Sequence, residues 1–266
     1  MKIVVKIGGQ ALEESEVRRQ VARQIAGLRR SGHQVVVVHG GGKLLTQTLA
    51  RLGIPTEFHD GLRVTDAATR DVALMVLAGV VNKQWVAELE AQGQRALGIC
   101  GGDAGLVTAR KLSARSNGRT KDLGFVGRPR QISTAVLEMA FRRGLVPVVA
   151  SLALGPGKEY FNINADDLAA ALAVALGADR LLYLTESGGV WDAERRLLSV
   201  VKRGDIPRLI RKGIVRDGMI PKLRSCARTL RQHVGEIDIL SPATPNGLIR
   251  AVLTGNHVGT RIVKTS

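Results

Sequence analysis

Lys6, Lys222, Asp166 and two glycine-rich turns carry the chemistry that this chain can perform. "KIGGQ" follows a valine-rich run and sets Lys6 beside Gly8 and Gly9, and "VVVVHGGGK" sets Gly41 and Gly42 beside a second lysine. A backbone without Cβ lets peptide N–H groups reach phosphate oxygens, and a helix starting there adds partial positive charge. Two such turns together suit a polyanionic ligand, although either alone also fits a tight strand–helix turn. In "FNINADDLAAALAVALGA", Asn162, Asn164 and Asp166 gather where a very apolar helix begins. Helix capping accounts for one of them and does not require three. Lys222 follows "RDGMIP" at the start of another helix, where anions are favoured. Arg63 in "HDGLRVTD" reads as a bidentate carboxylate clamp or as a solvated loop arginine. Lys6 alone reads as a positioned charge or as a snorkelling strand-edge residue.

Competing motifs are missing. Neither Gly42-Lys43 nor Gly157-Lys158 has the upstream glycine of a GxxxxGK[ST] phosphate loop. No GxGxxG follows the first strand, and no GxSxG nucleophile elbow accompanies "HGGG". Cys100 and Cys226 are the only cysteines, too few for a disulfide framework or a zinc site.

Strand-like and helix-like segments alternate and would position these residues. "KIVVKI", "HQVVVVH", "ALGIC", "LVPVVA", "RLLYL" and "EIDIL" read as short buried strands. Ser15–Arg30, Asp66–Gln92, Thr134–Arg143, Asp166–Leu176 and Pro221–Gln232 read as helices. In the long one, Val72, Met75, Val76, Val80 and Val81 form an apolar side, and Thr65 or Asp66 can cap it. Leu106–Arg130 has strand and loop character without a helical period, so antiparallel hairpins are allowed there. This alternation predicts an α/β fold, a three-layer αβα sandwich with a mainly parallel central sheet. A soft boundary near Gly177 divides it into two lobes, 1–177 and 178–266.

The 266 residues suffice for one large domain or two lobes, and 45% hydrophobic residues argue against disorder. No apolar run reads as a membrane span and Met1 leads straight into a strand, so a soluble cytoplasmic protein is expected. The formal charge is +16, from 39 Lys+Arg against 23 Asp+Glu. That balance invites a nucleic-acid partner. The arginines are scattered, however: Arg18, Arg19 and Arg23 in one expected helix, Arg142 and Arg143 in another, Arg208, Arg211 and Arg216 in a third. Only "ARKLSARSNGRTK" reads as a dense basic loop, and 3% aromatics are too few for a stacking platform. Nucleic-acid binding is therefore not expected as the main function.

Taken in order, "KIGG", "VHGGG", "GLRVTD", "VNKQWVAEL", "GGDAGL", "DLGFVG", "FNINADDLAAALA", "LTESGGV", "DGMIPKL" and "GTRIV" resemble the amino acid kinase family, in its branch acting on N-acetylated glutamate. The resemblance runs over essentially the whole chain. "NINAD" and "DGMIPK" are more specific than any glycine turn. It implies ATP-dependent phosphorylation of the side-chain carboxylate of N-acetyl-L-glutamate, the second step of arginine biosynthesis. The N-terminal lobe would bind the acyl amino acid and mediate dimerisation, and the C-terminal lobe would bind ATP. Lys6 and Lys222 would approach the transferring phosphoryl from two sides, with Asp166 holding both lysines. Gly8, Gly9, Gly41 and Gly42 would donate N–H groups or leave room. Arg63 would hold the substrate's α-carboxylate and Asn162 its polar end. Thr185, Glu186, Gly189, Ile214, Val215, Arg216, Gly218 and Met219 would line the nucleotide pocket. Mg²⁺ would enter with ATP, and no dedicated metal cage is expected.

Departures from the family pattern qualify this picture. Glu186-Ser187-Gly188 replaces the Asp-Val-Pro or Asp-Val-Ser of many relatives. The chain starts almost at the first strand, without the extra N-terminal helix of arginine-regulated hexamers, which implies a homodimer. The positive charge is not a family trait. The competing readings are a kinase of carrier-protein-bound aminoadipate or glutamate or of N-succinylglutamate, and a non-catalytic binding protein. The joint presence of Lys6, Asp166 and Lys222 argues against the last.

Overall fold

The computed structural model describes residues 1–116, 119–215, 219–254 and 258–264. Its strands are β1 Lys2–Ile7, β2 Gln34–His39, β3 Phe58–His59, β4 Leu62–Arg63, β5 Ala96–Cys100, β6 Val107–Ser116, β7 Arg119–Ile132, β8 Val146–Ala150, β9 Leu152–Leu154, β10 Tyr160–Ile163, β11 Arg180–Leu184, β12 Val200–Lys202, β13 Glu236–Leu240 and β14 Thr260–Val263. The helices are α1 Gln10–Glu13, α2 Ser15–Arg30, α3 Gly42–Arg51, α4 Ala67–Ala73, α5 Asn82–Ala91, α6 Ala135–Arg142, α7 Ala165–Leu176, α8 Ile206–Arg211, α9 Met219–Leu230 and α10 Gly247–Ile249.

Eight strands form one sheet in the order β12-β14-β13-β11-β1-β2-β8-β5. All neighbours are parallel except β13 and β14. Strands buried on both faces read as continuous apolar runs, which is why "KIVVKI" and "QVVVVH" do not alternate. Each strand feeds a core on either side. Val4, Val36, Leu181 and Ile237 pack under α6, α7 and α9 through Leu137, Leu172 and Leu223. Ile3, Val5, Val35 and Leu182 pack on the opposite face against Ile25 of α2, Leu49 of α3 and Trp85 of α5. These are the three layers expected from sequence. Gly177 ends α7 with φ 58°, and the sheet continues across that point through the β1–β11 pairing.

Three features depart from the sequence-based expectation. Of the stretch Leu106–Arg130, the described residues from Val107 to Ser116 and from Arg119 on form β6 and β7 of a closed barrel with β9 and β10, so the part expected as a dense basic loop supplies strand residues. The long helix is not uniformly α: Leu74–Val81 is a π-helix between α4 and α5. The wider i→i+5 turn rotates the faces, so Met75 and Val80, expected on the buried side, are 66% and 49% exposed. Ala67–Ala91 is apolar and long enough, by length and composition, to cross a membrane, yet Val72, Val76, Leu77, Val81 and Leu89 are packed in the protein's own core. Finally, the helix expected to carry Arg208, Arg211 and Arg216 ends at Arg211. Arg216 lies outside the described residues.

Candidate active site

The site sits at the carboxyl ends of β1 and β2, where ligands bind in open α/β sheets. β1 delivers Lys6, and α7 delivers Asp166 in its first turn. Asn164 caps α7, accepting from the backbone N–H groups of Asp166 (2.8 Å) and Asp167 (3.3 Å). Of the three polar residues clustered at this helix start, Asn164 is thus the cap, leaving Asn162 and Asp166 for other work. α9 delivers Lys222 from the other direction.

Asp166 holds both lysines. Lys6 Nζ lies 2.8 Å from Oδ1, and Lys222 Nζ donates to Oδ2. Burial pushes the Asp166 carboxyl up, but the two ammonium groups outweigh it and hold it at about 2. Asp166 is therefore a carboxylate at neutral pH. Lys222 Nζ also lies 4.9 Å over the Tyr183 ring. Tyr183 is fully buried and donates its hydroxyl to the Asp166 carbonyl at 3.3 Å.

Two cavities meet here. The larger, ≈ 390 Å³, is lined by Lys6, Gly8, Gly9, Asp166 and Glu186. The smaller, ≈ 180 Å³, is lined by Arg63, Asn162, Phe58 and the buried Ser151. Gly40, Gly41, Gly42, Asn164 and Ala165 line both. The fold therefore brings a cavity lined by Lys6 and Asp166, the latter also holding Lys222, next to an arginine-bearing compartment, with the triple glycine between them.

The glycines divide by cause. Gly41 has φ 151°, and an added Cβ would lie 2.7 Å from Leu77 Cδ2, so the protein itself needs glycine there. A Cβ on Gly42 would meet nothing within 4 Å. Its bareness is not a packing requirement and leaves space towards the cavity, at the N-terminus of α3.

Arg63 is 7% exposed. It donates to the Gly42 carbonyl (3.1 Å) and to Thr46 Oγ1 (2.7 Å), and it stacks over Phe58 at 4.6 Å. Burial lowers its pKa; no carboxylate pairs with it among the described residues. It is a positioned, desolvated guanidinium, not a solvated loop residue.

The residues expected around the nucleotide are spread more widely. Glu186 lines the larger cavity, and Thr185 immediately follows β11 beside it in sequence. Gly189 sits against Leu197 and Thr260. Val215 is in the core, with Ile214 and Met219 packed against it. Arg216 and Gly218 fall outside the described residues.

Sequence reasoning missed His39 and Asn82. Both are fully buried directly behind the triple glycine. Asn82 Nδ2 lies 3.1 Å from His39 Nε2, 3.2 Å from the Ile99 carbonyl and 2.9 Å from that of Val148. His39 Nδ1 lies 2.8 Å from the Gly40 carbonyl. Their only signal was a polar residue ending each of two apolar runs.

The amino acid kinase family model matches residues 1–241. A Koribacter versatilis protein named acetylglutamate kinase is 46% identical over 265 residues, covering 100% of both chains. A Nitrobacter hamburgensis protein of the same name is 42% identical, covering 98% of this chain and 90% of the relative. The N-acetylglutamate synthase from Neisseria gonorrhoeae, complexed with coenzyme A and N-acetyl-glutamate, superposes with TM-score 0.87 at 26% identity; it covers this whole chain, which spans 60% of that structure. Carbamate kinase from Giardia lamblia shares the fold, at TM-score 0.69 and 18% identity over 99% of this chain and 98% of that one.

Proposed function

This chain belongs to the amino acid kinase family, and we infer that Lys6, Asp166 and Lys222 perform its phosphoryl transfer. It phosphorylates the side-chain carboxylate of N-acetyl-L-glutamate with ATP, the second step of arginine biosynthesis. The observation that carries the mechanistic reading is the pairing of Lys6 and Lys222 on the two oxygens of Asp166.

In this reading the substrate's side-chain carboxylate lies at Gly40–Gly42, with its α-carboxylate on Arg63 and its polar end at Asn162. The γ-phosphoryl of ATP lies between that loop and Gly8-Gly9. A carboxylate oxygen attacks phosphorus, the bond to the β,γ-bridging oxygen breaks, and ADP leaves. The nucleophile is already ionised, so the step needs no general base. What it needs is alignment and charge neutralisation. Lys6 and Lys222 supply the charge from two sides, and Asp166 fixes both ammonium groups before the substrate arrives. Backbone N–H groups of the glycine turns complete the cradle.

Mg²⁺ belongs to the substrate, MgATP. The Asp166 carboxylate is already committed to two lysines, and the described residues include no cluster of three metal-ligating side chains. Phosphate oxygens and water suit this ion well. Thr185, Glu186, Gly189 and the 214–219 stretch take the nucleotide in this reading, and residues 1–177 take the acyl amino acid. The chain acts as a homodimer, a role supported by the exposed Met75 and Val80 on one long helix. No observation favours a carrier-bound or succinylated acid.

The test is acyl-phosphate trapping. Protein, MgATP and hydroxylamine are mixed with N-acetylglutamate, N-succinylglutamate, free glutamate or an N-acyl aminoadipate. Hydroxamate from N-acetylglutamate alone is expected. Product only from another acid would move the substrate assignment, and none from any would remove the reaction.

A further inference from the structure

A second cleft lies away from the catalytic cavities and shares no residue with them. It measures ≈ 550 Å³, between α7, α9 and the β6–β7 hairpin. Four arginines line it: Arg110 from β6, Arg128 and Arg130 from β7, and Arg228 from α9. None of the four forms an ion pair among the described residues.

The register makes this arrangement unfavourable by itself. Arg110 and Arg128 are direct partners across the antiparallel β6–β7 pair. Directly opposed residues project from the same face with Cβ atoms about 5 Å apart, and like charges so placed destabilise the sheet. Such a pair becomes favourable when one anion accepts from both guanidiniums. Arg228 reaches the cleft from the opposite wall.

The cleft is open to solvent on one side, and its lining mixes the arginines with apolar and acidic groups. Ala170 and Val174 supply an apolar wall. Asp167 is partly buried on the same helix, and its carboxylate accepts no hydrogen bond among the described residues. Burial raises its pKa, while Arg128 and Arg228 oppose that rise. Four guanidiniums against one carboxylate leave the cleft with a net charge of about +3 by formal count. The volume falls in the range of small-molecule sites, about 300–1,000 Å³.

We propose that this cleft binds a small organic multivalent oxyanion, a phosphate ester or a polycarboxylate, held between the Arg110–Arg128 pair and Arg228. Its anionic groups take the guanidiniums in the bidentate manner that arginine favours. Its carbon body lies on Ala170 and Val174, and Asp167 accepts from a hydroxyl or amine. The site adjoins the catalytic machinery through α7, because Asp166 faces the lysines and Asp167, the next residue, faces this cleft.

The test keeps the catalytic cavity full. Protein saturated with AMP-PNP, Mg²⁺ and N-acetyl-L-glutamate is melted with pyrophosphate, with citrate, or with sodium chloride at matched ionic strength. We expect pyrophosphate or citrate to raise Tm by about 5 °C at a hundred times its Kd, and sodium chloride not to. Pyrophosphate acting alone assigns phosphate esters, citrate alone assigns polycarboxylates, and both together assign their shared chemistry. Calorimetry on the Arg110→Gln/Arg128→Gln variant, and separately on Arg228→Gln, should give binding at least tenfold weaker with turnover unchanged. Equal shifts from sodium chloride, no shift from either anion, or variants that bind like wild type would overturn the proposal.

Discussion

Asn82 holds His39, and through it the triple glycine: its amide nitrogen lies 3.1 Å from His39 Nε2, and His39 Nδ1 lies 2.8 Å from the Gly40 carbonyl. An amide nitrogen can only donate, so Nε2 accepts and Nδ1 carries the proton that Gly40 receives. Replacing Asn82 by Leu strands a buried ring nitrogen and the carbonyls of Ile99 and Val148. The expected loss is about 3 kcal/mol in urea unfolding. Asn82→Asp should be no better, because a buried carboxylate would face two carbonyls.

The same histidine predicts a pH response. Burial outweighs the Gly40 bond and lowers the His39 pKa from 6.5 to about 4. The unfolded chain therefore binds a proton that the native chain refuses between those values. Stability is full above pH 6.5 and falls as pH drops from 6.5 towards 4, by about 3 kcal/mol for a shift of this size. Asp166, held at about 2 against an ordinary 3.8, adds a second loss that begins below pH 3.8 and is complete below 2. Urea midpoints at pH 8, 6, 5 and 4 should show the first decline, and a flat profile over that range would contradict it.

Asp166→Asn should separate folding from turnover. The variant keeps the shape but leaves two ammonium groups without the carboxylate that positions them. A fall in kcat of roughly a hundredfold or more is expected, on the scale of lost preorganised electrostatics, together with a milder loss of stability. Lys222→Ala and Lys6→Ala should fold and also lose most turnover. Unchanged turnover in any of the three would remove that residue from the mechanism.

Arg63→Lys should act on one substrate. The planar fork, fixed by Thr46, Gly42 and Phe58, is lost while the charge remains. KM for N-acetylglutamate should rise about tenfold or more, as expected for a lost charge-assisted hydrogen bond, with KM for ATP unchanged. Equal rises in both would mean that Arg63 shapes the site without touching the acyl amino acid.

Gly41→Ala and Gly42→Ala should fail differently. At Gly41 the new Cβ meets Leu77 in a backbone conformation that L residues rarely adopt. Unfolding measurements should show a cost of about 1–3 kcal/mol. At Gly42 the Cβ enters open space, so stability holds and KM rises if substrate fills that space.

The legible part of this molecule was the part governed by simple periods and by chemistry local to a motif. Uninterrupted valines announced β1 and β2, and Asn164 announced the start of α7. Lys6, Asp166 and Lys222 could be chosen from their neighbours, although only the fold makes them touch. The small barrel was not legible, because β6 and β7 shift register between Thr108 and Ala109 and again between Lys111 and Ser113, which breaks the alternation that reveals strands. The faces of Leu74–Val81 were not legible either. A count of 3.6 residues per turn buries Met75 and Val80, whereas the π turn exposes them. His39 was hidden because a histidine at a strand end gives no hint that its ring points inward. The Arg110–Arg128 opposition depends on register alone.

β1 hydrogen-bonds to β2 on one side and to β11 on the other, with Lys6 opposite Tyr183. β1 is thus completed by a partner synthesised some 180 residues later, and Lys222 arrives later still. A nascent chain stalled before β11 displays the glycine turns and Lys6 beside an open sheet edge, a template for unwanted pairing. Such non-local closure slows folding. During synthesis this protein therefore passes through an interval in which half of its phosphoryl-transfer machinery is already made while the sheet that must hold it is still open, and its vulnerability to aggregation is concentrated in that same interval.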